Sequence, residues 1–279
     1  MPLIDLHLHS NYSDGQDNLD KLFRLVTKTK IAVFSVTDHN YIHKLSENLL
    51  HKIKKGGVKF IQGVEVSSFD NKTGTSFHIL GYSEEFDTHR LNVGLDKTMK
   101  GYNDRAKKII KKLNNKYRGL NLDYFDLKKR NPEVYISRNT IAVELKKFLK
   151  SKATIKELSR EAFVEEESDW MLSPLEAINL ITDSCGIAVL AHPGRLFSKD
   201  QKKFENTLKS FKRFGLKGIE VYNPKHTKEE VSGLLRLSRK YKLLATAGSD
   251  WHGAARSSFE SPGVECTKQE LSSILACLF

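Results

Sequence analysis

The chain has 279 residues, 39% hydrophobic and 29% charged, and its 46 Lys+Arg against 34 Asp+Glu leave a formal net charge of +12. That length suits one domain, or one domain with a large insertion, and can bury a core without staples. Recurring apolar runs exclude a disordered chain, no apolar stretch nears the ~18 residues of a transmembrane helix, and the N-terminus lacks a signal-peptide pattern.

Leu3-Ile-Asp-Leu6 predicts a first strand, and Leu19, Leu22, Phe23 and Val26 at i, i+3, i+4, i+7 predict a helix face after it. Ile31 to Val36 reads as a second strand, and Leu45 to Ile53 as a helix ended by Gly56-Gly57. Val58 to Val66 reads as a strand pair or one bent strand, and Phe77 to Tyr82 as another strand. Residues 95–165 read as helical and basic with no clear strand. Alternation resumes at Ser173-Pro-Leu-Glu176, a capping box with Pro at the first helical position. Strands then follow at Ile187–Ala191, Gly218–Val221 and Lys242–Ala247, with helices over 201–214, behind the Thr227/Glu230 capping box, and over Leu271–Leu278. About seven strands alternating with helices predict an α/β fold with a parallel sheet covered on both faces, either a barrel slightly smaller than a TIM barrel or a doubly wound sheet. The barrel would comprise residues 1–94 and 166–279, with 95–165 as a basic helical insertion.

The histidines carry the chemistry. His7 and His9 follow the first strand as His-x-His, Asp14 comes five residues later, and Asp38-His39 follows the second strand. Glu65 and His78 fall inside strand runs, His192 ends Ile-Ala-Val-Leu-Ala-His, and Asp250 and His252 follow the last strand. Strand ends converge on one face of a barrel, and residues two apart in an extended segment point the same way, so these groups can meet. Imidazoles and carboxylates together are the ligands of Zn, Mn and Fe, and clustered ions suit phosphate-ester hydrolysis. Nine ligands are too many for one ion; two or three divalent ions would use them.

The segments Asp5-Leu-His-Leu-His-Ser10, Ser13-Asp-Gly15, Thr37-Asp-His39, Gly63-Val-Glu65, Phe77-His78, Ala191-His-Pro-Gly194 and Gly248-Ser-Asp-Trp-His-Gly253 together resemble the PHP (polymerase and histidinol phosphatase) domain, within the amidohydrolase-like barrels. The resemblance implies a distorted (β/α)7 TIM-like barrel with a trinuclear metal centre. His7, His9, Glu65 and Asp250 would hold the first ion, Glu65, His78 and His192 the second, and Asp14, His39 and His252 the third. It also implies a hydroxide bridging the first two ions that attacks phosphorus. Ile136-Ser-Arg138, Val189-Leu-Ala-His-Pro-Gly-Arg195 and Gly218-Ile-Glu-Val-Tyr-Asn-Pro-Lys-His226-Thr227 look like the RNase AM (TrpH-like) branch. That branch hydrolyses nucleoside 3′,5′-bisphosphates or trims RNA from a 5′-phosphorylated end, and carries a helical insertion. By analogy Arg138 and His226 would contact substrate phosphate. The branch's Gly-Arg-Pro-His-like stretch reads Ser137-Arg-Asn-Thr140 here.

Arg138 could clamp phosphate bidentately or sit exposed at a helix start, and His226 could be a phosphate ligand, a general acid or a surface residue beside its cap. Arg195 and Lys225 are weaker phosphate candidates, and Tyr222 either lines the pocket or packs beside it. His43, His51 and His89 match no motif and read as surface residues. Residues 100–130 hold eleven Lys+Arg and three Asp+Glu. With Tyr102, Tyr117, Tyr124 and Phe125 interleaved they could bind a polyanion and stack bases. Equally, Ile109, Ile110 and Leu113 predict a buried helix face with the lysines simply solvated. Cys185, Cys266 and Cys277 match no zinc spacing and read as thiols in a reducing cytoplasm. The sequence therefore predicts a cytoplasmic phosphoesterase using Mn, Fe or Zn on a nucleotide or short RNA, with no membrane and no obligate protein partner. A histidinol-phosphatase-like enzyme on small metabolites, or a nucleic-acid-binding module with a structural metal site, are the alternatives.

Overall fold

The computed structural model describes residues 2–43, 45–131, 135–162, 169–254, 256–257 and 259–279. Its strands are β1 (Leu3–Leu8), β2 (Val33–Val36), β3 (Lys59–Phe60), β4 (Gln62–Asp70), β5 (Thr75–Ser83), β6 (Ile187–Leu190), β7 (Gly218–Tyr222), β8 (Leu244–Ala247) and β9 (Val264–Glu265). The helices are α1 (Leu19–Lys28), α2 (Glu47–Lys55), α3 (Thr88–Lys116), α4 (Tyr124–Arg130), α5 (Arg138–Leu149), α6 (Ile155–Glu161), α7 (Pro174–Asp183), α8 (Gly194–Lys199), α9 (Gln201–Arg213), α10 (Lys228–Tyr241) and α11 (Lys268–Leu278). Helix starts follow local chemistry: Ser173 and Thr227 accept from the backbone N–H of Glu176 and Glu230, whose side chains reach back to complete both capping boxes. α8 and β9 are too short for the periodicity to reveal.

The strands form two sheets, β3-β2-β1-β9 and β4-β5-β6-β7-β8. The parallel sheet expected from alternation holds for β1 with β2, β2 with β3, and β6 through β8. It fails at β5, which runs antiparallel to both β4 and β6, and at β9, antiparallel to β1. The reason at β5 is its short connection to β4: the Asp70 carboxylate accepts from Lys72 N–H and the Thr73 hydroxyl to close a tight turn, whereas parallel neighbours need a crossover of a dozen or more residues.

No closed barrel is found among the described residues. The two sheets meet at single parallel bridges, Leu8 with Trp251 and His39 with Glu65. A left-handed residue stands beside each, Asp250 at φ 55° and Asn40 at φ 52°, and interrupts the extended backbone that a longer ladder requires. Ile4, Leu6 and Val33 of one sheet pack with Leu80, Val189 and Ala247 of the other. A second core lies between the five-stranded sheet and α7, α9 and α10.

α3 runs through position 95 without a break. Leu91 and Leu95 pack with Ile178 and Ile181 in the sheet-side core, while Ile109, Ile110 and Leu113 join Leu127, Ile141, Leu145 and Leu158 in a separate cluster. The other boundary drawn from the sequence, at 165/166, lies outside the described residues. No helix among the described residues is long and apolar enough to cross a membrane.

Candidate metal centre

β1 delivers His7 and His9 to one side, as the two-residue period requires, and their Nε2 atoms lie 3.1 Å apart. Gly248 allows the end of β8 to close on them: a Cβ there would lie 2.4 Å from His7 Cβ and 2.5 Å from Glu220 Oε1. Two residues of the cluster occupy the left-handed region, His192 at φ 28° and Asp250 at φ 55°. Such conformations cost of order 1–3 kcal/mol and persist where the surroundings fix them. For His192 the fixing partner is Glu220, whose Oε2 accepts the His192 N–H at 2.7 Å.

Glu65 is the hub. Its fully buried carboxylate lies 3.3 Å from His7 Nε2, 3.2 Å from His9 Nε2, 3.0 Å from His39 Nδ1, 2.9 Å from His78 Nδ1 and 3.2 Å from His192 Nε2. Asp14 is a second centre, with Oδ1 3.0 Å from His252 Nε2 and 3.8 Å from both His9 Nδ1 and His39 Nε2. Asp250 Oδ1 lies 3.3 Å from His9 Nε2 and 3.5 Å from His7 Nε2. All nine residues singled out in the sequence therefore sit in one connected cluster.

Burial alone would raise the Glu65 carboxyl, but His78, His39 and His7 outweigh it and hold the group well below the usual carboxylate range. Asp14, only partly exposed, is likewise held well below its usual range, His252, His39 and His9 outweighing the effect of burial. Burial lowers His39, but Glu65 and then Asp14 carry it up to about 9. The cluster thus asks for positive charge. Asp14 Oδ1, His39 Nδ1 and Glu65 Oε2 are buried yet make no hydrogen bond, and such groups ordinarily have partners. Ligand atoms of His9, Asp14, His39 and His252 all lie within 4.8 Å of one another, as do those of His7, His9 and Glu65, and of His39, Glu65 and His78. The donor set fits a cluster of divalent ions.

The PHP domain profile matches residues 5–254. The chain belongs to the PHP domain family. It is 30% identical to a 5′-3′ exoribonuclease of Haemophilus influenzae over 89% of each chain. It is 28% identical to a 3′,5′-nucleoside bisphosphate phosphatase of Chromobacterium violaceum, covering 90% of this chain and 88% of that one. A phosphoribosyl 1,2-cyclic phosphate 1,2-diphosphodiesterase of Eggerthella lenta is 27% identical, over 89% of this chain and 94% of the relative. The fold matches a Chromobacterium violaceum amidohydrolase solved with sulfate and no metal, at TM-score 0.77 and 24% identity over 98% and 96% of the two chains. It also matches a Bifidobacterium adolescentis protein described as a metal-dependent phosphoesterase, at TM-score 0.76 and 20% identity over 99% and 96%. This PHP chain is a metal-dependent hydrolase of phosphate esters.

Several residues that support the PHP cluster escaped the sequence reading. Glu220, on β7 and 1% exposed, accepts from His7 Nδ1–H at 2.9 Å and so fixes which ring nitrogen faces the cluster. Asp38 accepts from Ser10 N–H at 2.8 Å, the Ser10 hydroxyl at 2.5 Å and the Ser13 hydroxyl, and Ser13 Oγ lies 3.4 Å from His9 Nδ1. Asp14 Oδ2 receives Asn139 Nδ2 and Arg256 Nη2, each at 3.3 Å. Asn139 stands where the branch stretch departs, so the departure brings an amide donor to the cluster. Ser10, Ser13, Asp38, Asn139 and Glu220 all lie within or beside the quoted motif segments, but a lone polar residue there carries no periodic signal of which side chain it will meet.

Other expectations change. His43 is not a surface residue: it is 5% exposed and its Nε2 bonds Asp38. His51 and His89 are exposed. His226 uses both ring nitrogens on the main chain, Nδ1–H donating to Val221 C=O at 2.9 Å and Nε2 accepting Gly194 N–H at 3.1 Å. As placed, it offers a substrate no free nitrogen, because the short turn after β7 folds it back over its own strand. Lys225 Nζ instead pairs with Asp250 Oδ2. Arg195 is exposed in an open cleft of about 750 Å³ that also exposes His192. Arg138 is exposed at the start of α5, one residue before Asn139. Tyr222 turns away and donates to Glu270 on α11. Of the insertion's aromatics, Tyr102 is buried against Tyr135 and Trp170, and Tyr124 donates to Asn103. Phe125 is 72% exposed.

Proposed function

We propose that this PHP phosphoesterase hydrolyses nucleoside 3′,5′-bisphosphates or removes nucleotides from the 5′-phosphorylated end of RNA. The observation that carries this reading is the ring of imidazoles around one buried carboxylate, Glu65, with cationic side chains beside it. His7, His9, Glu65 and Asp250 would hold one divalent ion, Glu65, His78 and His192 a second, and Asp14, His39 and His252 a third. When bound, Mn, Fe or Zn ions would polarise the phosphoryl oxygens and lower the pKa of water. Arg195, which lines one cleft with His192, and Arg138, next in sequence to the Asn139 that bonds Asp14, would orient the substrate's phosphates. Glu220 and Asp38 keep the imidazoles of His7 and His9 in register. Lys225 balances the outer oxygen of Asp250 and tempers the negative charge that a phosphate meets on entry. The relatives named bisphosphate phosphatase and exoribonuclease support the nucleotide assignment. The basic segment 95–165 suits a polyanion better than a small monoester, and its contact with Asp14 through Asn139 supports a role for it in holding the substrate.

The test is direct. Mn-reconstituted protein receives adenosine 3′,5′-bisphosphate and, separately, a 5′-phosphorylated oligoribonucleotide, and the products are separated by chromatography. Release of inorganic phosphate from the first, or of mononucleotides from the 5′ end of the second, is the expected result. Inactivity on both, with turnover of sugar or amino-alcohol phosphates, would keep the phosphoesterase and remove the nucleotide assignment.

A further inference from the structure

Three residues beyond His9, on the loop that carries Asp14, stands Tyr12; two beyond His39 stands Tyr41. Their rings are parallel, 6° apart in plane with centroids at 5.7 Å. Tyr12 is 36% exposed and Tyr41 is half-buried. The pair is held from the protein side. The His43 imidazole meets Tyr12 edge-on at 4.9 Å and 83°, and Tyr41 at 5.0 Å and 89°. His43 is itself buried and tied to Asp38, the carboxylate that also holds the hydroxyls of Ser10 and Ser13. Tyr12 N–H in turn donates to Ser10 Oγ at 3.2 Å, and Tyr41 N–H to Asp38 C=O at 3.4 Å. Both loops thus hang from one buried anchor, and the two rings share a fixed orientation. The loops also carry His9, Asp14 and His39, three of the four residues in one candidate ion group.

We propose that Tyr12 and Tyr41 form a stacking platform for the substrate's nucleobase at the Asp14–His39 edge of the cluster. The inference rests on the nucleotide reading above and adds where the base sits and how it is recognised. Flat aromatic faces select any base over no base, because every base has a π-face, and they discriminate poorly among bases. Two phenols with one supporting imidazole match that requirement, and a platform held on Asp38 spends little ordering entropy when the base arrives. Purines, with the larger stacking surface, bind more tightly than pyrimidines. Of the insertion's aromatics, Tyr102 and Tyr124 are already engaged within the protein.

Wild type, Tyr12→Ala, Tyr41→Ala, the double variant and the two Tyr→Phe variants are compared on adenosine 3′,5′-bisphosphate and on ribose 5-phosphate, which has no base. The expected result is a rise of about tenfold in KM for the nucleotide on losing a ring, with kcat held. Phe restores KM, and ribose 5-phosphate shows no matching rise. A parallel loss on both substrates would make the tyrosines mere loop supports and overturn the proposal, as would an unchanged nucleotide KM in the double variant. Binding is read separately by titrating metal-loaded protein with 2-aminopurine riboside 5′-phosphate and following its fluorescence. Quenching by wild type that the double variant loses, with equal affinity for inorganic phosphate, supports the platform even if neither nucleotide substrate turns over. Absence of quenching by wild type overturns it.

Discussion

Around the cluster His7, His9, Asp38 and Glu65 are fully buried, whereas from α3 to α6 most of the described buried residues are apolar and Lys107, Lys108, Lys111 and Lys112 face solvent. The first region accumulates charge where charge is costly and offsets it with opposite charge at about 3 Å. The second follows ordinary amphipathic patterning and builds its own small core. The helical segment is therefore stable for reasons unrelated to chemistry, while the cluster depends on every partner and on the cations it is arranged to receive. Substitutions should separate the two.

The largest effect is expected at Glu65. Glu65→Ala leaves five imidazoles without their shared carboxylate, and removing one side of a buried charge set is costly. Turnover should fall on the order of 10³-fold, and bound metal measured by inductively coupled plasma mass spectrometry should drop with it. Retention of full metal content would break the contrast. Glu220→Gln comes next. It keeps the shape but loses the charge that orients His7, so metal affinity should weaken by about 10–100-fold, read by competition with a chelating dye.

Leu113→Ala probes the other region. Its side chain is fully buried in the insertion cluster, so truncation should cost about 2–5 kcal/mol of stability there. A lowered unfolding midpoint for α3–α6, with metal content unchanged, is the expected pattern in hydrogen exchange. Loss of metal in this variant would show that the two regions are coupled.

A pH series sharpens the point. In metal-stripped protein burial disfavours the charged His39 ring, but Glu65 and then Asp14 should outweigh it and carry its pKa from the ordinary 6.5 up to about 9. A raised imidazole pKa adds stability that is fully present below about pH 6.5 and is lost as pH rises through about 9. The melting temperature of stripped protein should fall across that window, and metal-loaded protein should resist the fall because metal ligation needs the neutral ring. The smallest effect belongs to the exposed lysines. Lys111→Gln with Lys112→Gln should leave bisphosphate turnover within about twofold. The salt slope of oligonucleotide binding should drop by up to about one unit for each phosphate that the double variant no longer neutralises.

The ligand-type residues were legible because His and Asp at the ends of apolar runs stand out against their surroundings, and His-x-His fixes a common direction. Most helices were legible from capping boxes and i, i+3, i+4 spacing. The antiparallel β5 was not, since Phe77–Tyr82 reads the same in either direction and only the Asp70–Thr73 turn decides its course. His43 looked like any surface histidine until the fold set Asp38 beside it, and Glu220, a single acid in the strand Gly-Ile-Glu-Val-Tyr, gave no hint of His7, 213 positions away.

By itself the sequence determined which side chains could bind cations, which segments are helical or extended, and that residues 100–130 carry an excess of positive charge. These follow from residue type and short-range spacing. The tertiary structure alone decided that the strands divide into two sheets joined at two bridges, that Glu65 lies among five imidazoles, that His226 turns to its own backbone, and that the rings of Tyr12 and Tyr41 stand parallel. Each of these is set by contacts between residues distant in the chain or by a turn whose direction no periodicity encodes, so it comes into being only when the backbone closes.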